Sequence, residues 1–270
     1  MLTTKQQLAR DNISMDLGLS GWAILTFGAA AAGWVDAVIG GGGLILIPLI
    51  MAVAPGLLPA NALATNKFAA VTGTSSAAVT LVRKVGVDTS LALRMIPVAA
   101  VCSGLGALMA ASISKDVMRP IVIILMLIAG LFVSLRPDFG QGNSTHKPWG
   151  RALALLAVAA IALYDGIFGP GTGMFLIMAF TALLSQDFIR SAALAKVINT
   201  ATNIGALCVF IAAGHILWKL GIILAIANVA GAQLGARTVL GGGTRLLRAA
   251  LLTLVVVMSI YLTKQQWFNG

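Results

Sequence analysis

Apolar residues run through this chain in long blocks separated by short polar breaks. Ten blocks can be marked, at about 18–38, 44–58, 61–82, 90–113, 117–135, 150–168, 173–185, 190–213, 216–238 and 245–262. A helix needs roughly 20 mostly apolar residues to cross a bilayer, and the runs 90–113, 117–135, 150–168, 216–236 and 246–262 fit or come close. Blocks 44–58 and 173–185 are short and each follows a glycine cluster, so they read as half-helices or re-entrant segments. The longest polar stretch, Arg136 to Trp149, holds Gly140, Gly142, Asn143, Ser144 and Pro148 and reads as a linker. The pattern predicts an all-α integral membrane protein with about 8–10 transmembrane segments. Its parts are a polar segment 1–17, a first transmembrane unit 18–135, the linker 136–149, a second unit 150–262 and a tail 263–270.

The two units repeat one another. The shift that carries Asp36 onto Asp165 also carries Gly40 onto Gly169, Gly42 onto Gly171 and Lys67 onto Lys196, without a gap. Glycines could coincide by chance in a glycine-rich chain, but two intramembrane aspartates and two intramembrane lysines would rarely do so as well. A unit of five crossings reverses direction from one copy to the next, which predicts inverted repeats of the kind found in secondary transporters.

Composition agrees with a bilayer setting. Of the 270 residues, 59% are hydrophobic and 10% charged, with a mean hydropathy of +0.98. A soluble domain carries about 25% charged residues. The net charge of +10 is concentrated between apolar blocks, where Lys and Arg set topology, and no basic face with interleaved aromatics suggests nucleic acid. With ten crossings and an outer N-terminus, the inner segments hold Arg83, Lys84, Arg94, Arg136, Lys147, Arg151, Arg190, Arg237, Arg245 and Arg248. The outer ones hold Lys5, Arg10, Lys115, Arg119, Lys219 and Lys264, and ten against six favours both termini outside. Residues 1–16 are polar and lack the form of a secretory signal. Cys102 and Cys208 lie within apolar blocks and read as buried small hydrophobes, and no Cys/His cluster suggests a metal or redox site. Trp22, Trp149, Trp218 and Trp267 fall near block ends, as interface anchors do.

Two constellations could carry chemistry. The first is Asp36-Ala-Val-Ile-Gly40-Gly41-Gly42-Gly43, echoed by Asp165-Gly-Ile-Phe-Gly169-Pro170-Gly171-Thr172-Gly173. Such runs break a helix, and the broken backbone must face protein, water or a ligand. The helices restarting near Leu44 and Met174 would aim free N–H groups and a positive dipole end at the break, an arrangement that favours anions. Gly41, Gly42, Gly43, Gly171, Thr172 and Gly173 are the candidate backbone donors. Close helix packing is the plainer account of any single glycine, whereas recurrence beside an Asp favours binding.

The second constellation is Lys67 and Lys196. A charged lysine at a helix centre costs about 2.5–3.5 kcal/mol on insertion scales, unless it snorkels outward. Asn66, Thr74, Asn199 and Asn203 stand near them in sequence as further donors. Anion binding is the preferred expectation, and structural ion pairs with Asp36 and Asp165 are the alternative. The aspartates are candidate counter-ions or proton carriers, because a desolvated carboxyl holds its proton more tightly. His146 and His215 read as linker and interfacial residues, and Asn228 and Gln233 as helix-packing polar groups.

These motifs resemble a known family. Trp34-Val-Asp-Ala-Val-Ile-Gly-Gly-Gly-Gly with Ala64-Thr-Asn-Lys67, and Tyr164-Asp-Gly-Ile-Phe-Gly-Pro-Gly-Thr-Gly with Ala193-Leu-Ala-Lys196, are similar to the paired motifs of the TauE/SafE family of sulfite and organosulfur anion exporters. The likeness covers roughly 18–262. It implies a multi-pass protein of the bacterial inner membrane that exports sulfite, sulfoacetate or a related anion, without a cofactor and with no enzymatic activity. Ala195 stands where the first copy has Asn66, so the half-sites are expected to differ. Protons are the candidate coupling ion, and no nucleotide-binding domain points to ATP. The alternatives are a passive anion channel and an intramembrane aspartyl enzyme. The second is disfavoured because no Gly-x-Gly-Asp motif accompanies Asp36 and Asp165.

Overall fold

The computed structural model describes residues 17–112 and 149–241. The expected segments 117–135 and 245–262, most of the linker, both terminal segments, His146 and Trp267 lie outside the described residues. So do nine of the cations in the topology count: Lys5, Arg10, Lys115, Arg119, Arg136, Lys147, Arg245, Arg248 and Lys264.

Eight helices follow one another among the described residues. They are α1 (Gly18–Ile39), α2 (Gly43–Val53), α3 (Pro59–Val85), α4 (Thr89–Ser112), α5 (Gly150–Ile167), α6 (Thr172–Leu184), α7 (Phe188–Ala212) and α8 (Trp218–Leu240). The second four repeat the first at nearly constant offset. Helices α6, α7 and α8 begin at 172, 188 and 218, all equally far beyond the 43, 59 and 89 that open α2, α3 and α4. That spacing is the one that separates Asp36 from Asp165. Five of the eight, α1, α4, α5, α7 and α8, are long and apolar enough to cross a membrane. Helix α3 is longer still, but carries too many hydroxyls and amides to meet that measure. It is sheltered by packing on α7 and α8 instead.

Packing exchanges helices between the halves. Helix α8 lies mainly against α1 and α3, and α4, its counterpart, lies mainly against α5 and α7. Helices α3 and α7 pack on each other. They run head to tail. The turn after α3 sits at the start of α7, where Gly86 and Asp88 meet Arg190 and Leu194. The turn after α7 sits at the start of α3, where His215 Nδ1 is 3.3 Å from Asn61 Oδ1 and the Leu217 N–H donates to Thr65 Oγ1 at 3.3 Å.

Helix α2 does not continue the course of α1. It folds back along it, with Gly42 beside Ala32 and Asp36, Leu49 against Gly28, and Val53 against Gly21. The chain therefore runs back toward the end where α1 began.

Small residues make the close approaches possible. Gly231 meets the backbone of Ala30, Gly205 that of Ala100, and Gly166 that of Ser103. Without a hydrophobic drive between helices in lipid, such backbone contact and interhelical hydrogen bonds supply the association. Asn228 Nδ2 donates to the Ala29 carbonyl at 3.1 Å, and Gln233 Nε2 donates to the Ser76 carbonyl at 3.1 Å, so both amides hold helices together. Large apolar side chains such as Leu19, Phe27, Leu93, Leu156 and Ile226 point outward, as a lipid-facing surface requires. Trp149 and Trp218 are exposed beside helix starts. Cys208 corrects its expected burial. It sits on an exposed stretch of α7, while Cys102 is half-buried. In the glycine seams a side chain would have nowhere to go. Gly231→Val is expected to destabilise by about 1–3 kcal/mol, read as a lowered Tm in detergent, and Gly56→Ala, with open space around it, should leave Tm unchanged.

Candidate anion site at the paired helix breaks

Two glycine breaks meet near the centre of the described helices. Helix α1 ends in Gly40 at φ +80°, whose N–H donates to the Asp36 carbonyl at 2.8 Å. A side chain there would strike the backbone of Gly173 and Met174 in the second half. The second break holds Gly169 at φ +94° and Gly171 at φ +83°. It is braced by the Tyr164 hydroxyl, which donates to the Pro170 carbonyl at 2.7 Å, and by the Thr172 hydroxyl, which donates to the Gly169 carbonyl at 2.7 Å. The breaks are joined directly, since the Met174 N–H donates to the Gly40 carbonyl at 3.4 Å.

Each lysine crosses to the other half for its counter-ion. Lys67 Nζ lies 2.6 Å from Asp165 Oδ2, and both side chains are 2% exposed. Lys196 Nζ lies 3.0 Å from Asp36 Oδ2, with the lysine 0% and the aspartate 16% exposed, and it also donates to the Asp36 backbone carbonyl. Lysines 67 and 196 are each eight residues beyond the helix starts at Pro59 and Phe188, roughly 12 Å along the axis. Because α3 and α7 run in opposite directions, the two lysines are counted from opposite ends of the bundle.

Not every candidate donor joins this centre. The Gly42 N–H is taken by Asp36 Oδ1 at 3.3 Å, so one of the expected free donors is already used by the protein. The N–H groups of Leu44 and Ile45 bond back to Gly41 and Gly42. Gly43 lies across from Pro170 and Gly173 from Gly40, with Lys196 Nζ close to the latter. Thr74 is buried and turns its hydroxyl onto the Ala70 carbonyl of its own helix at 2.7 Å. Asn199 and Asn203 bond to each other along α7, joined by the Thr202 hydroxyl. Asn66 is buried beside Lys67 in sequence. The structure thus gathers the lysines, aspartates and glycines, and places the hydrogen bonds of Thr74, Asn199 and Asn203 within their own helices.

One participant went unnoticed in the sequence. Ser103 on α4 is fully buried, and its hydroxyl donates to Asp165 Oδ2 at 3.4 Å. A single serine in an apolar helix carries no signal, and its counterpart in the second copy is Ala232, so the repeat gave no hint. Among the described residues no group of three His, Cys, Asp or Glu is placed to hold a metal ion.

Comparison with known proteins decides the family. The family model described as sulfite exporter TauE/SafE matches residues 25–262. The chain belongs to the TauE/SafE family. A probable membrane transporter protein, YfcA, of Escherichia coli strain K12 is 38% identical over 236 residues, covering 87% of each chain. A probable membrane transporter protein of Haemophilus influenzae is 34% identical over 260 residues, 94% of this chain and 100% of the relative. A probable membrane transporter protein, ORF9, of a Sinorhizobium species is 32% identical over 247 residues, 92% of this chain and 94% of that one. No solved structure matches. This TauE/SafE protein is therefore a multi-pass membrane transporter rather than an enzyme.

The ion pairs make a prediction about the fold. Removing one partner strands a buried charge at a cost of about 3–5 kcal/mol, whereas replacing both partners can be close to neutral. Lys67→Ala is expected to lower the Tm markedly, and Lys67→Met combined with Asp165→Asn to recover most of that loss. Thermal unfolding of the purified protein compares the two. Equal loss in both would show that packing, not charge, holds this junction.

Proposed function

We propose that this transporter exports a small sulfur oxyanion or organosulfonate, such as sulfite or sulfoacetate, across the cytoplasmic membrane. The observation that carries the reading is the placement of two lysine–aspartate pairs at the two joined helix breaks. A sulfonate or sulfite oxygen and a carboxylate oxygen accept the same N–H donors. An anion arriving at the break therefore competes with Asp36 or Asp165 for the lysine, and Gly41, Gly42, Gly43, Gly171, Thr172 and Gly173 surround it with backbone.

Charge balance shapes the mechanism. Two lysines and two aspartates sum to zero, so the centre holds no spare positive charge for a substrate. Binding becomes favourable when the displaced carboxylate takes up a proton, since an unpaired charge in this setting is far costlier than a neutral acid. Protons are accordingly the proposed coupling ion, with Asp36 and Asp165 as their carriers. A potential negative inside favours anion exit by about 2.3 kcal/mol per charge per 100 mV.

The halves act as inverted repeats in this reading. The head-to-tail course of α3 and α7 supports that arrangement, as does the exchange of α4 and α8. Orientation follows from the cations. Arg83, Lys84, Arg94, Arg151, Arg190 and Arg237 gather at the end where α3 closes and α7 opens, against Lys219 at the opposite end. The first end is cytoplasmic on that count.

Reconstituted protein tests the reading. Vesicles preloaded with sulfite should accumulate labelled sulfite by saturable counterflow, and the Lys196→Met, Asp36→Asn double variant should lose at least tenfold in rate. Uptake that rises linearly with concentration, without counterflow, would mark a channel. Proton coupling has its own readout, an interior pH change that accompanies sulfite movement and disappears when both aspartates are replaced by Asn.

A further inference from the structure

The two lysine–aspartate pairs occupy equivalent places in the repeat, yet they are not built alike. Asp165 is closed off. It holds Lys67 at 2.6 Å, accepts the Ser103 hydroxyl at 3.4 Å on the same oxygen, and is 2% exposed. Asp36 is looser. Its lysine stands at 3.0 Å, it is 16% exposed, and its second oxygen is held by the Gly42 backbone N–H. If Lys196 let go, Asp36 would keep a fixed donor and its partial exposure. If Lys67 let go, Asp165 would keep one long hydroxyl contact in a closed setting, and a stranded buried charge is costly.

The ends of the molecule differ in the same sense. At the start of α3 the turn after α7 is latched, by His215 on Asn61 and by the Leu217 N–H on Thr65. The repeat relates these positions to the start of α7. There Asn61 becomes Arg190, Thr65 becomes Leu194, and His215 corresponds to Gly86. Neither latch can form with those residues. A cavity of about 320 Å³ opens in their place, lined by Gly86, Asp88, Gln186, Arg190 and Leu194 among others. The open end is the one from which Lys196 is about eight residues deep.

We propose that Lys196 and Asp36 form the half-site that takes up the anion from the open, cation-rich end, while Ser103 keeps Asp165 on Lys67 so that the second pair stays closed. Ser103 is a positioning residue in this scheme. The proposal rests on the lysine reading above and specifies which lysine acts first. It also explains why the polar backing on α4 lacks a counterpart on α8, where Ala232 stands.

Two measurements test it. In the first, sulfite binding to nanodisc-embedded protein is measured by calorimetry for two charge-neutral double variants. Lys196→Met with Asp36→Asn should weaken binding at least tenfold, and by several times more than Lys67→Met with Asp165→Asn does. Equal loss in both overturns the asymmetry but keeps the lysine reading. Loss in neither overturns that reading and the proposal with it. The reverse order overturns the proposal alone. In the second, which needs no variant, wild-type protein is treated with dicyclohexylcarbodiimide at mildly acidic pH and mapped by mass spectrometry. Label on Asp36 and not on Asp165 supports the proposal, and label on Asp165 alone, on both or on neither overturns it. In Ser103→Ala, Asp165 should become labelled as well. Its staying unlabelled there would remove Ser103 from the positioning role.

Discussion

The fold depends on one constraint: two lysines buried among apolar helices cannot be left without counter-charges. A lone ammonium in such surroundings would lose more hydration than any single contact restores. Each lysine here meets an aspartate, and each aspartate comes from the other half of the chain. The halves therefore cannot separate without stranding four charges. The exchange of α4 and α8 has the same effect through packing, because the last described helix of each half lies mostly on the other half. Charge and surface thus bind the same two units together.

That constraint also sets the place of the glycines. An aspartate can reach across only if the backbone near it comes close to the opposite half. Gly40 meets Gly173 with no room for a side chain, and the Met174 N–H completes the junction on the Gly40 carbonyl. The backward course of α2 follows. A helix broken at Gly40 to Gly42 must send its continuation somewhere, and Asp36 captures the Gly42 N–H, turning the chain back along α1.

Much of this was legible in the sequence. The apolar blocks gave helix positions to within about three residues, because long apolar runs in a bilayer leave the backbone few choices, except that block 44–58 overran the end of α2 at Val53. The constant offset between the copies found the paired Asp, Gly and Lys from sequence alone. It could not say which aspartate each lysine would meet, since an offset reports equivalence and not contact. Lys67 is as compatible in sequence with Asp36, in its own half, as with Asp165. Ser103 was invisible for a related reason. Its role comes from the crossing of α4 over α5, and its counterpart Ala232 has no hydroxyl to mark the position. Thr74, Asn199 and Asn203 were chosen for nearness along the helix, but a hydroxyl or amide in an apolar helix readily finds a partner within its own turns, and the hydrogen bonds of these three did so.

The unequal surroundings of the two pairs bear on how a symmetric frame can do directional work. Perfectly equivalent half-sites would bind a substrate equally well from either end, and a ligand with equal affinity for two states shifts neither. Here the difference is local and chemical: a serine against an alanine, an asparagine against an alanine beside the lysine, a latched turn against an open one. None of these alters the backbone plan that the repeat imposes. They bias it, leaving one aspartate partly exposed and the other closed off. The second break touches both pairs, since Gly173 lies against Gly40 and beside Lys196, while Gly169 lies beside Lys67 and Asp165.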